Sequence, residues 1–205
     1  TFINIMINII YAVGLNLILG VAGQFSLGHA GFIAIGSYSG AILGKMMNGL
    51  PGLFAGMAVG VVISVIVAFL VGLPTLRLKG DYLAIATLGV AEIIRVAVTN
   101  MKITNGAAGI SGVPLTNTWT ITYIALVLTT ILILNYTFSS AGRATYAFLQ
   151  DEIAAESMGV QVTKYKILAF VLGAATASIG GTLSATTLGA VTPSDFTFMK
   201  SIDVL

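Results

Sequence analysis

Six long apolar runs constrain what this chain of 205 residues can fold into. They cover approximately residues 2–20, 30–47, 51–73, 83–101, 118–138 and 166–190. Each run is close to the roughly 20 residues that a helix needs to cross the hydrocarbon core of a bilayer. The strands of a membrane β-barrel are shorter and alternate between apolar and polar residues. The sequence therefore predicts an all-α, polytopic transmembrane helical bundle of about six spans.

The composition supports this class. Only 8% of the residues are Asp, Glu, Lys or Arg, whereas a soluble domain carries about 25% because water must solvate its surface. Most of the outer surface must therefore face lipid. The net charge of +2 is too small and too dispersed to indicate a nucleic-acid partner.

The two ends indicate that the chain is part of a longer membrane protein. The N-terminal run lacks an initiator Met, a basic region and a cleavage site of small residues, which is typical of a first span rather than a signal peptide. The C-terminal segment, PSDFTFMKSIDVL, stops on an apolar run that we expect to continue. We expect residues 1–205 to form a single transmembrane domain that is truncated at both ends.

Lysine and arginine predict the orientation, because loops rich in them stay in the cytoplasm. Alternating sides place Arg77, Lys79, Arg143, Lys164 and Lys166 together, against Lys45, Lys102 and Lys200. The loops 74–82 and 139–165 are therefore predicted to be cytoplasmic.

Small residues recur at every fourth position within the runs. Gly36, Gly40 and Gly44 share one face of the second run, and Gly56 and Gly60 share one face of the third. This spacing lets helix backbones approach closely in lipid. We interpret these glycines as packing positions rather than functional residues.

Glu92 and Arg95 lie in the middle of the fourth run, three residues apart on one helical face. A lone charge at that depth costs about 2.5–3.5 kcal/mol on insertion scales, so these residues should pair or face a cavity. Two interpretations are open: a structural ion pair inside the bundle, or part of a transport pathway.

The segment 21–31, VAGQFSLGHAG, interrupts the first two runs with glycine and polar residues. Non-helical backbone at membrane depth persists only where it is buried in protein or lines a cavity, and transporters often bind substrate at such breaks. Gln24, Ser26 and His29 are therefore candidates for a substrate pathway; a plain polar loop at the membrane face is the alternative. A single histidine without cysteine or nearby carboxylates does not indicate a metal site.

A charged stretch at residues 150–166, QDEIAAESMGVQVTKYK, is predicted to contain a short cytoplasmic helix at 151–159. Asp151 suits the N-cap, Glu152 suits the positive end of the helix dipole, and Gly159 suits the position after the C-cap. A helix of two turns is marginal alone in water. Its residues Ala154 and Ala155 are small, so we expect it to dock in a groove of another protein; a solvated acidic linker is the alternative.

Four blocks of the chain resemble one family. The AAxxxG of Ala154, Ala155 and Gly159 is similar to the cytoplasmic signature of ABC-importer permeases. The segments GLNLILGVAGQFSLGHAGFIAIGSYSGA, LRLKGDYLAIATLGVAEIIRVAVTN, TNGAAGISGVP and GRATYAFLQDEIAAESMGVQVTKYKILAFVLGAATASIGGTL resemble the LivM-type permeases of branched-chain amino acid importers, in the family's order. One departure is at 148–150, where the family usually has basic residues and this chain has Phe148, Leu149 and Gln150.

The resemblance implies the permease subunit of an ATP-driven importer in the cell inner membrane. Its partners would be a paralogous LivH-like permease, two cytoplasmic ABC ATPases that bind the ATP, and an extracytoplasmic amino-acid-binding protein. The chain itself would hold no cofactor or metal and would not be an enzyme. The resemblance also assigns the loop 139–165 as the coupling loop, with the ATPase contact made by Asp151, Glu152, Ala154, Ala155, Glu156 and Gly159.

Two alternatives remain open. Permeases that look like this one also carry urea and short amides. An ion-coupled secondary transporter would instead use Glu92, Arg95 and His29 as a proton or ion relay. A membrane-embedded enzyme would need a catalytic constellation, and the sequence offers no recognisable one.

Overall fold

The computed structural model describes residues 2–47, 49–76, 78 and 80–204, most of which are helical. The helices are α1 (Phe2–Asn16), α2 (His29–Met46), α3 (Leu50–Thr75), α4 (Asp81–Asn100), α5 (Trp119–Phe138), α6 (Ser140–Gln150), α7 (Glu152–Ser157), α8 (Val162–Leu188) and α9 (Phe198–Val204). A π-helical turn (Leu17–Val21) follows α1, two 3₁₀ turns occupy Gly106–Ala108 and Pro193–Phe196, and the strands are β1 (Ile110–Ser111) and β2 (Ala190–Val191). The predicted helical bundle is confirmed.

Among the described residues, five helical segments are long and apolar enough to cross a membrane. They are Phe2–Val21, Leu50–Thr75, Asp81–Asn100, Trp119–Phe138 and Val162–Leu188. The remaining predicted run, 30–47, is the second along the chain and forms α2, which is less apolar. Fourteen of the 18 residues in α2 are buried, so this helix faces other helices rather than lipid. Its surface therefore tolerates polar side chains.

The helices α2 and α8 approach each other closely. A side chain at Gly36 would collide with the backbone of Ser178. Two hydrogen bonds cross the contact: Ser37 Oγ donates to the carbonyl of Gly181 at 3.0 Å, and Thr182 Oγ1 donates to the carbonyl of Gly36 at 2.9 Å. Small residues at this contact let the polar groups of both backbones and side chains meet, which agrees with the packing interpretation of Gly36.

The two ends of the bundle carry different elements. At the β end, β1 pairs antiparallel with β2, with Ile110 opposite Val191, and Lys45 Nζ donates to the carbonyl of Ser111 at 2.9 Å. The opposite end carries α6, α7 and the first turn of α8, and we call it the α7 end. Arg77 and Lys79, which contribute to the predicted orientation, lie outside the described residues.

The connection 139–165 contains a helix, α6, that the sequence patterns do not predict. Ser139 caps it by accepting from the N–H of Gly142 at 3.3 Å. Thr145 and Phe148 are buried on one side of α6, and Thr145 Oγ1 hydrogen bonds with the hydroxyl of Tyr136 at 2.9 Å. The α6 helix therefore packs against the end of α5 and holds the following α7 close to the bundle.

The glycine contact gives a matched test within one helix. We expect Gly36→Ala to lower the free energy of unfolding by about 1–3 kcal/mol, because the added methyl group overpacks the crossing with α8. Gly44→Ala is the control, because its added Cβ would have only ordinary contacts, the nearest at 3.7 Å. The measurement is the thermal stability of each variant in detergent. Equal stability of the two variants would contradict the proposed crossing.

Candidate functional site

The short helix α7 is capped at both ends by its own sequence. The Asp151 carboxylate accepts hydrogen bonds from the N–H groups of Ile153 and Ala154 at 2.9 and 3.0 Å. At the other end, Gly159 has a left-handed backbone with φ +84°, and the N–H of Val160 donates to the carbonyl of Ala155 at 3.0 Å. This is the Schellman motif. Asp151 and Gly159 therefore cap the helix as predicted. The helix itself has six residues.

The side chains of α7 divide between the bundle and its outside. Ala155 is buried against α6 and the start of α8. Ile153 is 77% exposed and Met158 is 84% exposed, and Ala154 and Glu156 are also exposed. Two large apolar side chains at the tip of a charged, capped helix are an exposed patch of the kind that marks interaction sites. Sequence reasoning missed Ile153 and Met158, because it considered only the charged and small residues.

An ion pair joins α7 to the first turn of α8. Lys166 Nζ donates to Glu152 Oε1 at 2.8 Å, and only 14% of the Lys166 side chain is exposed. The same ammonium group lies 5.7 Å from the centre of the Phe148 ring, at the end of α6. A charge-assisted hydrogen bond in a mostly buried setting is stronger than a surface pair. Lys166 therefore connects three consecutive helices at the α7 end.

The break between α1 and α2 reaches the same point. Gln24 is 2% exposed, and its Nε2 donates to the backbone carbonyl of Lys166 at 3.1 Å. Gly23 has a left-handed backbone with φ +62°, and Leu149 packs directly against it. Phe148 is therefore the apolar contact of the ion pair, and Leu149 is the apolar contact of the break. Both stand at positions where the sequence departs from the family that it resembles.

A small cavity of about 250 Å³ lies between these groups. Its polar lining comes from Gln24, Glu152 and Lys166, and its apolar lining includes Leu83 and Leu149. Gln24, which is predicted to line the pathway, and Glu152, which is predicted to contact the ATPase, therefore line the same cavity.

The backbone of the break is hydrogen bonded inside the protein. After the π turn, the N–H of Gln24 donates to the carbonyl of Ile18 at 2.9 Å. The N–H of Leu27 donates to Thr87 Oγ1 of α4 at 3.0 Å, and the N–H of Ala30 donates to Ser201 Oγ of α9 at 2.9 Å. Irregular backbone is tolerated in a membrane protein when other segments satisfy it in this way.

The other predicted pathway residues are buried as fully as Gln24. Ser26 is 2% exposed and His29 is 1% exposed, and Ser26 Oγ accepts from the N–H of Gly28 at 3.3 Å. The cavity beside Gln24 is not lined by either residue. Within the described part of the chain, no group of three His, Asp or Glu residues is placed to hold a metal ion.

The charged pair of α4 forms, but its position differs from the interpretation that favoured the bundle interior. Arg95 Nε donates to Glu92 Oε2 at 2.9 Å, and Arg95 Nη2 donates to Glu92 Oε1. The side chains are 31% exposed for Arg95 and 47% exposed for Glu92. The pair therefore lies on the outer surface of the described chain. Helical spacing shows that the two residues share a face, but not which face the bundle covers.

The comparison with known protein families identifies the family of this chain. All 205 residues match the family described as branched-chain amino acid transport system / permease component. The chain belongs to this family. The family consists of transport permease components rather than enzymes, and its match confirms the resemblance seen in the sequence.

Individual relatives agree with the family. The chain is 36% identical to the high-affinity branched-chain amino acid transport system permease protein LivM of Salmonella typhimurium and 35% identical to LivM of Escherichia coli K12. Each alignment covers 98% of this chain and 55% of the relative, so the chain spans little more than half the length of these proteins. It is also 24% identical to LivH of Salmonella typhimurium, over 89% of this chain and 67% of LivH. No solved structure matches the chain significantly.

The ion pair at the α7 end generates a prediction about local stability. We expect Lys166→Met to raise amide hydrogen exchange in Glu152–Ser157 about five-fold, since losing the pair removes roughly 1 kcal/mol of local stability. The measurement is hydrogen–deuterium exchange with mass spectrometry.

Lys164→Met is the matched control, because Lys164 is an exposed residue one half-turn away on the same helix. Equal exchange in the two variants would show that the Lys166 pair does not hold α7 in place.

Proposed function

We propose that this chain is the membrane-spanning part of a permease subunit in an ATP-driven importer of Leu-, Ile- and Val-like amino acids, located in the cell inner membrane. The observation that carries the proposal is the link from the exposed tip of α7, through Lys166, to Gln24 in the break. An importer of this class needs such a mechanical connection between the site of ATP hydrolysis and the pathway. The names of the LivM relatives support the cargo.

The α7 end is assigned to the cytoplasm, with residues 139–165 as the coupling loop. This follows the predicted charge bias and leaves Ile153 and Met158 facing a soluble partner. Two cytoplasmic ABC ATPases bind ATP and provide the grooves for α7; the chain itself holds no nucleotide. A LivH-like permease completes the membrane part, and an extracytoplasmic binding protein delivers the amino acid.

The residues of α7 have different roles in this coupling. Asp151 and Gly159 fix the length of the helix, and Ala154 and Glu156 face the ATPase groove beside Ile153 and Met158. Ala155 and Glu152 face the permease, where Glu152 holds Lys166. Closure of the ATPases moves α7, and the pair transmits that movement to the first turn of α8.

The helix α8 carries the movement into the membrane. It has 27 residues and crosses α2 at the Gly36 contact, so a displacement of its first turn also shifts α2. The carbonyl of Lys166 moves Gln24 and the break with it. Ser26 and His29 are buried in the present conformation and enter the pathway when the break opens, which makes opening a switch between two packed arrangements.

The docking surface is tested by one exposed apolar residue. We expect Ile153→Asp to reduce copurification of the ATPase subunits about ten-fold or more, because a charge replaces an apolar contact at the centre of the interface. Ile103→Asp is the control: it is a matched substitution of a 74% exposed residue at the β end. Normal ATPase capture by Ile153→Asp, or loss in both variants, would contradict docking through α7.

The cargo is tested by uptake into vesicles that contain the assembled transporter. We expect leucine, isoleucine and valine to be imported only with ATP and the binding protein, and to compete with one another. Import of urea or short amides in their place would overturn the assigned cargo. Uptake without the ATPases would overturn the assigned class.

A further inference from the structure

One buried oxygen atom beside the cavity at the α7 end has no hydrogen-bond partner within the described protein. Gln24 lines this cavity and is 2% exposed, and its Nε2 donates to the carbonyl of Lys166 at 3.1 Å. The Oε1 of the same amide accepts no hydrogen bond from any residue that the structure describes. A buried acceptor without a donor costs free energy. A molecule bound in the cavity would lower that cost by donating a hydrogen bond to Gln24 Oε1.

Two opposite charges line the same cavity. Lys166 and Glu152 are joined by one hydrogen bond of 2.8 Å, and both belong to the cavity lining. An ammonium group has three N–H donors and a carboxylate accepts about four hydrogen bonds, so their mutual bond does not exhaust either group. A simple anion would be repelled by Glu152, and a simple cation would be repelled by Lys166. A molecule that carries an ammonium group and a carboxylate close together matches both charges.

The apolar lining and the volume of the cavity restrict this molecule further. The buried side chains of Leu76, Leu83 and Phe148 form part of the lining. The volume of about 250 Å³ is smaller than the roughly 300–1,000 Å³ of sites for drug-sized ligands. A peptide is therefore too large. A single free amino acid with an aliphatic side chain fits the size, the paired charges and the apolar wall together.

The walls of the cavity are the parts that move in the proposed mechanism. They come from the break, the turn after α3, the first turn of α4, and the adjoining ends of α6, α7 and α8. The cavity is thus enclosed by several segments of this chain rather than lying on the outer face of one helix. Movement of α7 or of the break would separate Gln24 from Lys166 and open the cavity. A ligand that needs the intact cavity therefore stabilises the closed arrangement.

We propose that this cavity binds a free aliphatic amino acid from the cytoplasm and that its occupancy inhibits import. The ammonium group of the ligand donates to Gln24 Oε1 and to Glu152, and its carboxylate accepts from Lys166. Its side chain packs against Leu76 and Leu83. Because the ligand stabilises the closed arrangement, the imported amino acid slows its own import as it accumulates. The proposal rests on the proposed function for the cargo and for the cytoplasmic side, and it adds an inhibitory site.

The first test measures binding in the assembled transporter, without ATP or the binding protein. We expect saturating leucine to slow amide hydrogen exchange about three-fold or more in residues 22–27 and in Glu152–Ser157, because the ligand holds both segments in place. Two matched probes are 4-methylpentanoate, which is leucine without its ammonium group, and 3-methylbutylamine, which is leucine without its carboxylate. We expect neither probe to slow exchange. No protection by leucine, as for a cavity that holds only water, or equal protection by either probe, would overturn the proposal.

A variant that fills the cavity tests the position of the site. Leu78 lines the cavity and is 42% exposed, so Leu78→Trp occupies space for the ligand and leaves the polar groups unchanged. Leu73→Trp is the matched control, because Leu73 is 39% exposed and does not line the cavity. We expect leucine to protect the Leu73→Trp variant and not the Leu78→Trp variant. Protection of both variants, or of neither, would overturn the assignment to this cavity.

The inhibitory effect is tested by import of radiolabelled valine into vesicles that hold ATP and a chosen concentration of leucine inside. At an internal leucine concentration of four times its Kd, we expect the initial rate to fall about five-fold. We expect the Leu78→Trp variant to import at the same rate with and without internal leucine. An initial rate in the unmodified transporter that does not respond to internal leucine would overturn the inhibitory site alone. Absence of ATP-dependent import in every vesicle would overturn the proposed function, whereas the exchange measurement would still test the site.

Discussion

The close crossing of α2 and α8 is the contact on which the rest of the structure depends. Glycine at position 36 allows Ser37 and Thr182 to hydrogen bond across the two backbones. These two helices form the enclosed centre of the bundle, and both begin near the break and the α7 end. In lipid the hydrophobic effect does not drive helices together, so packing and such hydrogen bonds must do so. In the proposed mechanism, a rigid α2–α8 unit transmits movement from one end of the bundle to the other.

Lys166 connects α8 to two other segments at the α7 end. Its ammonium group binds Glu152 of α7, while its carbonyl binds Gln24 of the break. One residue therefore joins the segment assigned to ATPase docking and the segment assigned to the pathway.

Much of this fold could be predicted from the sequence, because lipid imposes a length and a composition on each span. The six runs became helices with ends within about four residues of those predicted. The caps of α7 were also predictable, since Asp151 and Gly159 act on backbone groups only two to four residues away. Long-range contacts were not: Gln24 and Lys166 are 142 residues apart in sequence, and no local pattern links them. The helix α6 was missed because its 11 residues are too few to form an apolar run of membrane-spanning length.

In the proposed mechanism, Gln24 links the movement of α7 to the opening of the break. The most direct measurement is the number of amino acid molecules imported per ATP hydrolysed by transporter reconstituted in vesicles, with Gln24→Leu compared with the unmodified protein. Loss of one buried hydrogen bond removes about 1 kcal/mol, so we expect near-normal ATP hydrolysis and a ratio lowered about five-fold. An unchanged ratio, or an equal loss of hydrolysis and import, would contradict it.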